Sequence, residues 1–154
     1  MKKILVTGGL GFIGTNFLKY LIKKRNYSIL NLDRYDYCSN SSFKKNFKYY
    51  KFIKIDLSSA KISKIKKIIN TFKPQYVLNF AANSHVDWSI SDPLNFVKSN
   101  YTATLNILVS IANADKKIKL FQIGTDEIYG EIKKNQKKVF QENSHLEPSN
   151  PYSA

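Results

Sequence analysis

At 154 residues and 43% hydrophobic content, the chain can bury one core and is too short for two ordinary domains, so one domain over residues 1–154 is expected. Its net charge of +14 would suit a nucleic-acid partner. However, all the basic residues except Arg25 and Arg34 are lysine, and the dense stretch Lys133-Lys134-Asn135-Gln136-Lys137-Lys138 lacks interleaved aromatics and guanidinium forks, so it reads as a solvated loop and nucleic acid is not expected. No segment approaches the roughly 20 apolar residues of a membrane span, which leaves no membrane partner to expect.

Strand-like β-branched runs alternate with helix-like segments along the chain, the pattern of parallel βαβ units. A first strand over 3–7 turns through Gly8, Gly9, Gly11 and Gly14 into a helix over 12–24. The same glycines break the apolar run behind Lys2-Lys3 before it reaches signal-peptide length. Strands follow over 28–33 and 49–55. A helix over 61–72 sets Ile62, Ile65, Ile68 and Ile69 against Lys64, Lys66 and Lys67, which turns one apolar stripe to the sheet. Lys73-Pro74 ends it, because proline disfavours helical geometry in the residue before it.

A fourth strand over 76–79, a helix over 93–113 and a fifth strand over 119–123 complete the pattern. Residues 131–149 form a polar, lysine-rich loop, and a new helix is expected to begin at Pro151. Right-handed crossovers then give an α/β fold, a doubly wound parallel sheet of Rossmann type with strand order 3-2-1-4-5. Sheets of this kind are covered on both faces, so apolar surface on the helix after the fourth strand and on the fifth strand is expected to lie exposed. Cys38 stands alone, which excludes an internal disulfide and fits a reducing compartment, with cytoplasm as the expectation. His85 and His145 have no cysteine or paired carboxylate at ligand spacing, so no metal is expected.

Two constellations carry chemistry. Gly9, Gly11 and Gly14 fit the dinucleotide fingerprint, and Gly8, Gly11 and Gly14 offer an alternative spacing. Either lets backbone amides and a helix N-terminus approach a pyrophosphate. Asp33 follows about 20 residues on, where an acidic group hydrogen-bonds the adenosine ribose and repels a 2′-phosphate. NAD is therefore favoured over NADP, although Arg34 beside it pulls the other way. The second constellation, Thr125-Asp126-Glu127, follows the fifth strand. Ligands of such folds sit at the carboxyl ends of strands, and two carboxyl groups there suit either acid and base work or a solvated acidic turn.

Thr7 to Gly14, Asn31-Leu32-Asp33, Asp36-Tyr37-Cys38-Ser39-Asn40, Ala81-Ala82-Asn83-Ser84-His85-Val86-Asp87, Thr125-Asp126-Glu127-Ile128-Tyr129-Gly130 and Asn150-Pro151-Tyr152-Ser153-Ala154 together resemble the nucleoside-diphosphate-glucose 4,6-dehydratases of the extended short-chain dehydrogenase family. The resemblance runs the length of the chain. It implies that Tyr152 takes the proton of the sugar 4-hydroxyl, that Thr125 hydrogen-bonds the same oxygen, that Glu127 takes the C5 proton and that Asp126 protonates the departing 6-hydroxyl. NAD accepts and returns the hydride. The resemblance also places Phe12 and Ile13 by the pyrophosphate and Asp56 and Leu57 by the adenine. Phe80, Ala81, Ala82 and Ser84 fall by the nicotinamide, and Ser99 by its ribose. His85 and Asp87 read as supporting residues, Trp88 as a packing one, and Asn83 as a modest departure from the family.

The substrate so implied is UDP- or dTDP-glucose. The segment Asp36 to Asn40 looks closest to the UDP-glucose enzymes of rhamnose synthesis. The family pattern Tyr-x-x-x-Lys calls for a lysine two positions beyond Ala154. The chain is therefore expected to be truncated before the later strands and the sugar-nucleotide-binding part, and inactive alone, with a C-terminal half or a homologue as partner in trans. A non-catalytic nucleotide-binding remnant is the alternative, and a sugar 4-epimerase is disfavoured by Asp126-Glu127.

Overall fold

The uninterrupted apolar run Ile4-Leu5-Val6 suits a strand buried on both faces, and it forms the centre of the sheet. A computed structural model describes residues 1–132 and 139–154, so the basic stretch read as a solvated loop at 133–138 lies outside the described residues. β1 (Lys2–Thr7) pairs in parallel with β2 (Tyr27–Asp33) on one side and β4 (Tyr76–Asn79) on the other. β3 (Tyr50–Lys54) and β5 (Lys119–Gln122) form the two edges, in the expected order β3-β2-β1-β4-β5. Because every pairing is parallel, the carboxyl ends of all five strands open along one rim, where loops from both halves of the sheet meet.

Each face has its own apolar layer. Leu5, Leu30, Leu32 and Val77 pack against Ile65 and Ile69 of α2 (Ile62–Phe72) and Ala103 and Ile107 of α5 (Ala103–Ala112). The opposite face sets Ile4, Val6, Ile29 and Tyr50 against Leu18 and Leu21 of α1 (Phe12–Lys24). The helices α1 and α2 match their expected spans to within a residue, since the apolar period and the Lys73-Pro74 stop are local signals.

The span 93–113 departs from its expectation of one regular helix. It comprises α4 (Pro93–Phe96), a π-helical segment Val97–Thr102 and then α5. The wider winding lets two adjacent residues work on the rim: Ser99 reaches Arg34 at 3.4 Å, while Asn100 exchanges hydrogen bonds of 2.7 and 2.9 Å with the Asn83 backbone. A short α3 (Val86–Ser91), absent from the sequence reading, precedes it. The helix expected from Pro151 is a single turn at 151–153, with the Asn150 side chain accepting from the Tyr152 and Ser153 amides at 3.0 Å each.

Leu105 and Leu108 on α5 and Phe121 on β5 are 42%, 45% and 50% exposed, the bare apolar surface that the strand order implied. Among the described residues no helix is long and apolar enough to cross a membrane, and no group of metal-ligating side chains is present.

Candidate functional site

The chain leaves β1 through Gly8, whose φ of +65° an L side chain rarely adopts; a Cβ there would stand 2.6 Å from the Ala81 nitrogen. That closeness brings the turn after β1 against the loop after β4. At Gly14 a Cβ would run into the Gly8 carbonyl, so the helix can start tight against the turn. Gly9 faces away, with its amide donating to Asn31 Oδ1 at 3.1 Å. A Cβ at Gly9 would run into the Asn31 and Leu18 side chains, so Gly9 and Gly14 serve close packing behind the rim, while Gly8 and Gly11 line it. The helix α1 begins after Gly11 with no side-chain cap and no acidic residue in its first turn, which leaves its first amides to an anion.

A cavity of about 420 Å³ opens here. Gly8 and Gly11 line it from the turn after β1, Asp33 and Arg34 from the end of β2, and Asp56 and Leu57 from the loop after β3. Phe80, Ala81, Ala82 and Ser84 line it from the loop after β4, and Ser99 from the π-helical segment. Phe12 and Ile13 do not line it; they are the first residues of α1 and their side chains are exposed.

Asp33 is buried, and each of its oxygens accepts one backbone N–H, Oδ2 from Leu10 at 2.9 Å and Oδ1 from Tyr35 at 2.8 Å. These two bonds fix the carboxylate's direction and leave lone pairs for ligand hydroxyls. A glycine cradle, an uncapped helix start and an oriented carboxylate together fit a dinucleotide.

Arg34 spans the cavity walls. Nε pairs with Asp36 Oδ2 at 2.5 Å, Nη2 donates to Asn83 Oδ1 at 2.5 Å, and Nη1 donates to Ser99. Burial works against ionisation of Asp36, but hydrogen bonds from Cys38 and Arg34, with the guanidinium charge, hold its carboxyl below the ordinary value. Asp56 is also low: burial opposes the charge, and the Ser58 hydroxyl and amide, with Arg34, outweigh it. Burial, the bond to Asp36 and that carboxylate's charge push the Cys38 thiol up, away from thiolate chemistry.

Trp88 packs as expected, stacked on His85 with ring centroids 4.8 Å apart and tilted against Tyr37 at 5.3 Å. All three rings also line the cavity, as do Asp36 and Asn83. The sequence reading assigned none of these five to the cofactor. Asp36, Tyr37, Asn83 and His85 stand within motifs it singled out, whereas Trp88 belongs to α3, too short a helix to leave a period.

Thr125, Asp126, Glu127 and Tyr152 lie off this cavity but on the same rim. The Thr125 hydroxyl accepts from the Glu127 amide at 3.3 Å and caps the 3₁₀ turn Asp126–Tyr129. Asp126 is exposed and Glu127 half-buried. Asn150 donates its amide to Glu127 Oε2 at 3.3 Å, and the Glu147 amide bonds the Ile128 carbonyl at 2.9 Å, which ties the Tyr152 turn to the acidic turn.

The sequence model of the GDP-mannose 4,6 dehydratase family matches residues 5–154. The dTDP-glucose 4,6-dehydratase of Haemophilus influenzae is 36% identical over 165 residues, covering 100% of this chain and 48% of that protein. The human dTDP-D-glucose 4,6-dehydratase is 38% identical, covering 99% and 43%. The chain thus spans about half the length of the curated relatives it matches. Among solved structures, the dTDP-glucose 4,6-dehydratase of Bacillus anthracis in complex with NAD superposes with a TM-score of 0.83 at 31% identity, covering 99% of this chain and 46% of that one. The UDP-Glc/GlcNAc 4-epimerase of Campylobacter jejuni gives 0.84 at 28%, covering 99% and 45%. Epimerases therefore share the fold, while the curated relatives named here are dehydratases. With a glycine cradle, an acid pair on the rim and a family match running through both, this chain belongs to the GDP-mannose 4,6 dehydratase family.

Proposed function

We propose that residues 1–154 form the NAD-binding part of a nucleoside-diphosphate-glucose 4,6-dehydratase that converts UDP- or dTDP-glucose to the 4-keto-6-deoxy sugar. Gly8, Gly11, Gly14 and the first amides of α1, at Phe12 and Ile13, hold the pyrophosphate, and Asp33 takes the adenosine ribose hydroxyls. Asp56 and Leu57 flank the adenine; Phe80, Ala81, Ala82, Ser84 and Ser99 border the nicotinamide end. Bound NAD supplies a hydride acceptor for C4 of the sugar and the donor that later reduces C6.

The remaining chemistry belongs to side chains on the rim. Tyr152 accepts the 4-hydroxyl proton, and Thr125 hydrogen-bonds the same oxygen. The C4 ketone acidifies C5–H, Glu127 takes that proton, and Asp126 protonates the C6 oxygen as it leaves as water. The observation that carries this reading is the hydrogen bond from Asn150 to Glu127, which joins the tyrosine turn to the acid pair at the carboxyl end of β5. Asp126-Glu127 also favours dehydration over 4-epimerisation, since a dehydratase needs an acid and a base at C5 and C6. The exposed Leu105, Leu108 and Phe121 favour a second reading, a nucleotide-binding chain that docks on a homologue.

Calorimetric titration with NAD tests the first step, and the remaining half of a dehydratase relative, added in trans with UDP- or dTDP-glucose, tests the second. The 4-keto-6-deoxy product is followed by its absorbance in alkali. Turnover that Glu127→Gln abolishes is expected. Absence of NAD binding, or turnover untouched by that substitution, refutes the assignment; NAD binding with no turnover in any combination favours the second reading.

A further inference from the structure

The charge around the cavity runs against the charge of the chain. With a net charge of +14 overall, the chain lines this cavity with one Arg and no Lys among the described residues, facing Asp33, Asp36 and Asp56. Lys44 and Lys54 sit over the Tyr35 ring, 4.1 and 5.7 Å from its centre, and do not line the cavity. The single cation, Arg34, follows Asp33 directly, where a guanidinium serves a ribose 2′-phosphate in enzymes that use NADP.

In this chain that guanidinium is already engaged on all three nitrogens. Of its hydrogen-bond partners only Asp36, at 2.5 Å, is charged; Asn83 and Ser99 are neutral. Asp36 is itself braced, with Oδ1 accepting from the Cys38 thiol at 3.1 Å and its own amide donating to Ser39 Oγ at 3.0 Å. A phosphate entering beside Asp33 would meet two further carboxylates and an arginine whose charge is spent.

From this geometry we propose that Asp36 is a specificity-determining residue: by pairing Arg34 across the cavity wall it withholds the guanidinium from the dinucleotide and so excludes a 2′-phosphate. The proposal deepens the cofactor reading above and rests on it. Asp33 orients the ribose, whereas Asp36 decides whether the neighbouring arginine can answer a phosphate.

The test compares NADH and NADPH affinities of the 154-residue chain, read by energy transfer from Trp88, the sole tryptophan, which lines the cavity, and checked by calorimetry. Asp36→Ala should tighten NADPH by roughly tenfold, the effect of one charge-assisted hydrogen bond, and leave NADH within about threefold. Asp36→Asn, which keeps the shape and removes the charge, should move NADPH in the same direction by less, and it stands in if the alanine variant fails to fold by circular dichroism. Adding Arg34→Ala to Asp36→Ala should erase the gain. Unchanged NADPH affinity in both Asp36 variants, or a gain that survives loss of Arg34, overturns the proposal. Failure of the unsubstituted chain to bind either nucleotide refutes the cofactor reading instead.

Discussion

Gly8→Ala should damage stability and the site together. At φ +65° an alanine pays about 1–2 kcal/mol for the left-handed conformation. Its Cβ would stand 2.6 Å from the Ala81 nitrogen and 2.7 Å from the Ala81 Cα and Phe80 carbonyl carbon, against the 3.4 Å at which ordinary contact begins. These are backbone atoms, so no rotamer relieves the clash, and overpacking adds about 1–3 kcal/mol. The combined loss of about 2–5 kcal/mol is a large share of the ~5–15 kcal/mol that holds a domain of this kind. In urea, with a slope of about 2 kcal/mol/M, the unfolding midpoint followed by circular dichroism should fall by about 1–2.5 M. The loop that must move carries Phe80 and Ala81, which line the cavity, so NADH affinity should fall as well. Gly124 is the control: nothing lies within 4 Å of a Cβ there and its φ is not positive, so Gly124→Ala should stay within about 0.5 kcal/mol. Equal midpoints for Gly8→Ala and the unsubstituted chain would refute the close-approach argument.

Tyr50 donates to the Phe43 carbonyl at 2.7 Å and accepts from Asn31 at 3.0 Å. Burial, helped by the Asp33 charge and opposed by the Asn31 bond, pushes its hydroxyl up to about 12. Because the folded value exceeds the unfolded one near 10, this contribution is intact below pH 10 and lost as pH rises towards 12; Tyr50→Phe should flatten that part of the stability profile and cost about 1–3 kcal/mol at neutral pH through the orphaned Asn31 donor. Ile65→Ala, at a fully buried site between the sheet and α5, should cost about 2–5 kcal/mol in the same melts. Asp33→Asn should retain the fold better than Asp33→Ala, because an amide oxygen can still accept from Leu10, and should weaken NADH binding in calorimetry. Leu108→Lys with Phe121→Lys should reduce light scattering of the concentrated chain without lowering its melting temperature; unchanged scattering would show that another surface drives self-association.

Local chemistry made much of this legible in the amino-acid order. The stripe read over Ile62, Ile65, Ile68 and Ile69, of which the last three face the core while Ile62 at the helix start is exposed, the Lys73-Pro74 stop, the glycines after β1 and the run Ile4-Leu5-Val6 are signals that act within a few residues, and the handedness of crossovers turned them into the strand order. The places of Asp33 at the end of β2 and of Thr125-Asp126-Glu127 just after β5 were readable for the same reason, since each adjoins a strand run. Finding which glycines face the rim needed the tertiary structure, because Gly8 is set against Ala81, far along the chain, and lines the cavity, whereas Gly9 is packed on Asn31 away from it. The π-helical winding at Val97–Thr102 has the same origin: its apolar period reads as an ordinary helix, and the contacts of Ser99 and Asn100 lie on other elements. The Arg34 clamp joins residues 2, 49 and 65 positions apart. Its partners depend on how closely the loops after β2 and β4 and the π-helical segment approach one another, a distance decided by three elements packing on one sheet and encoded in no local period.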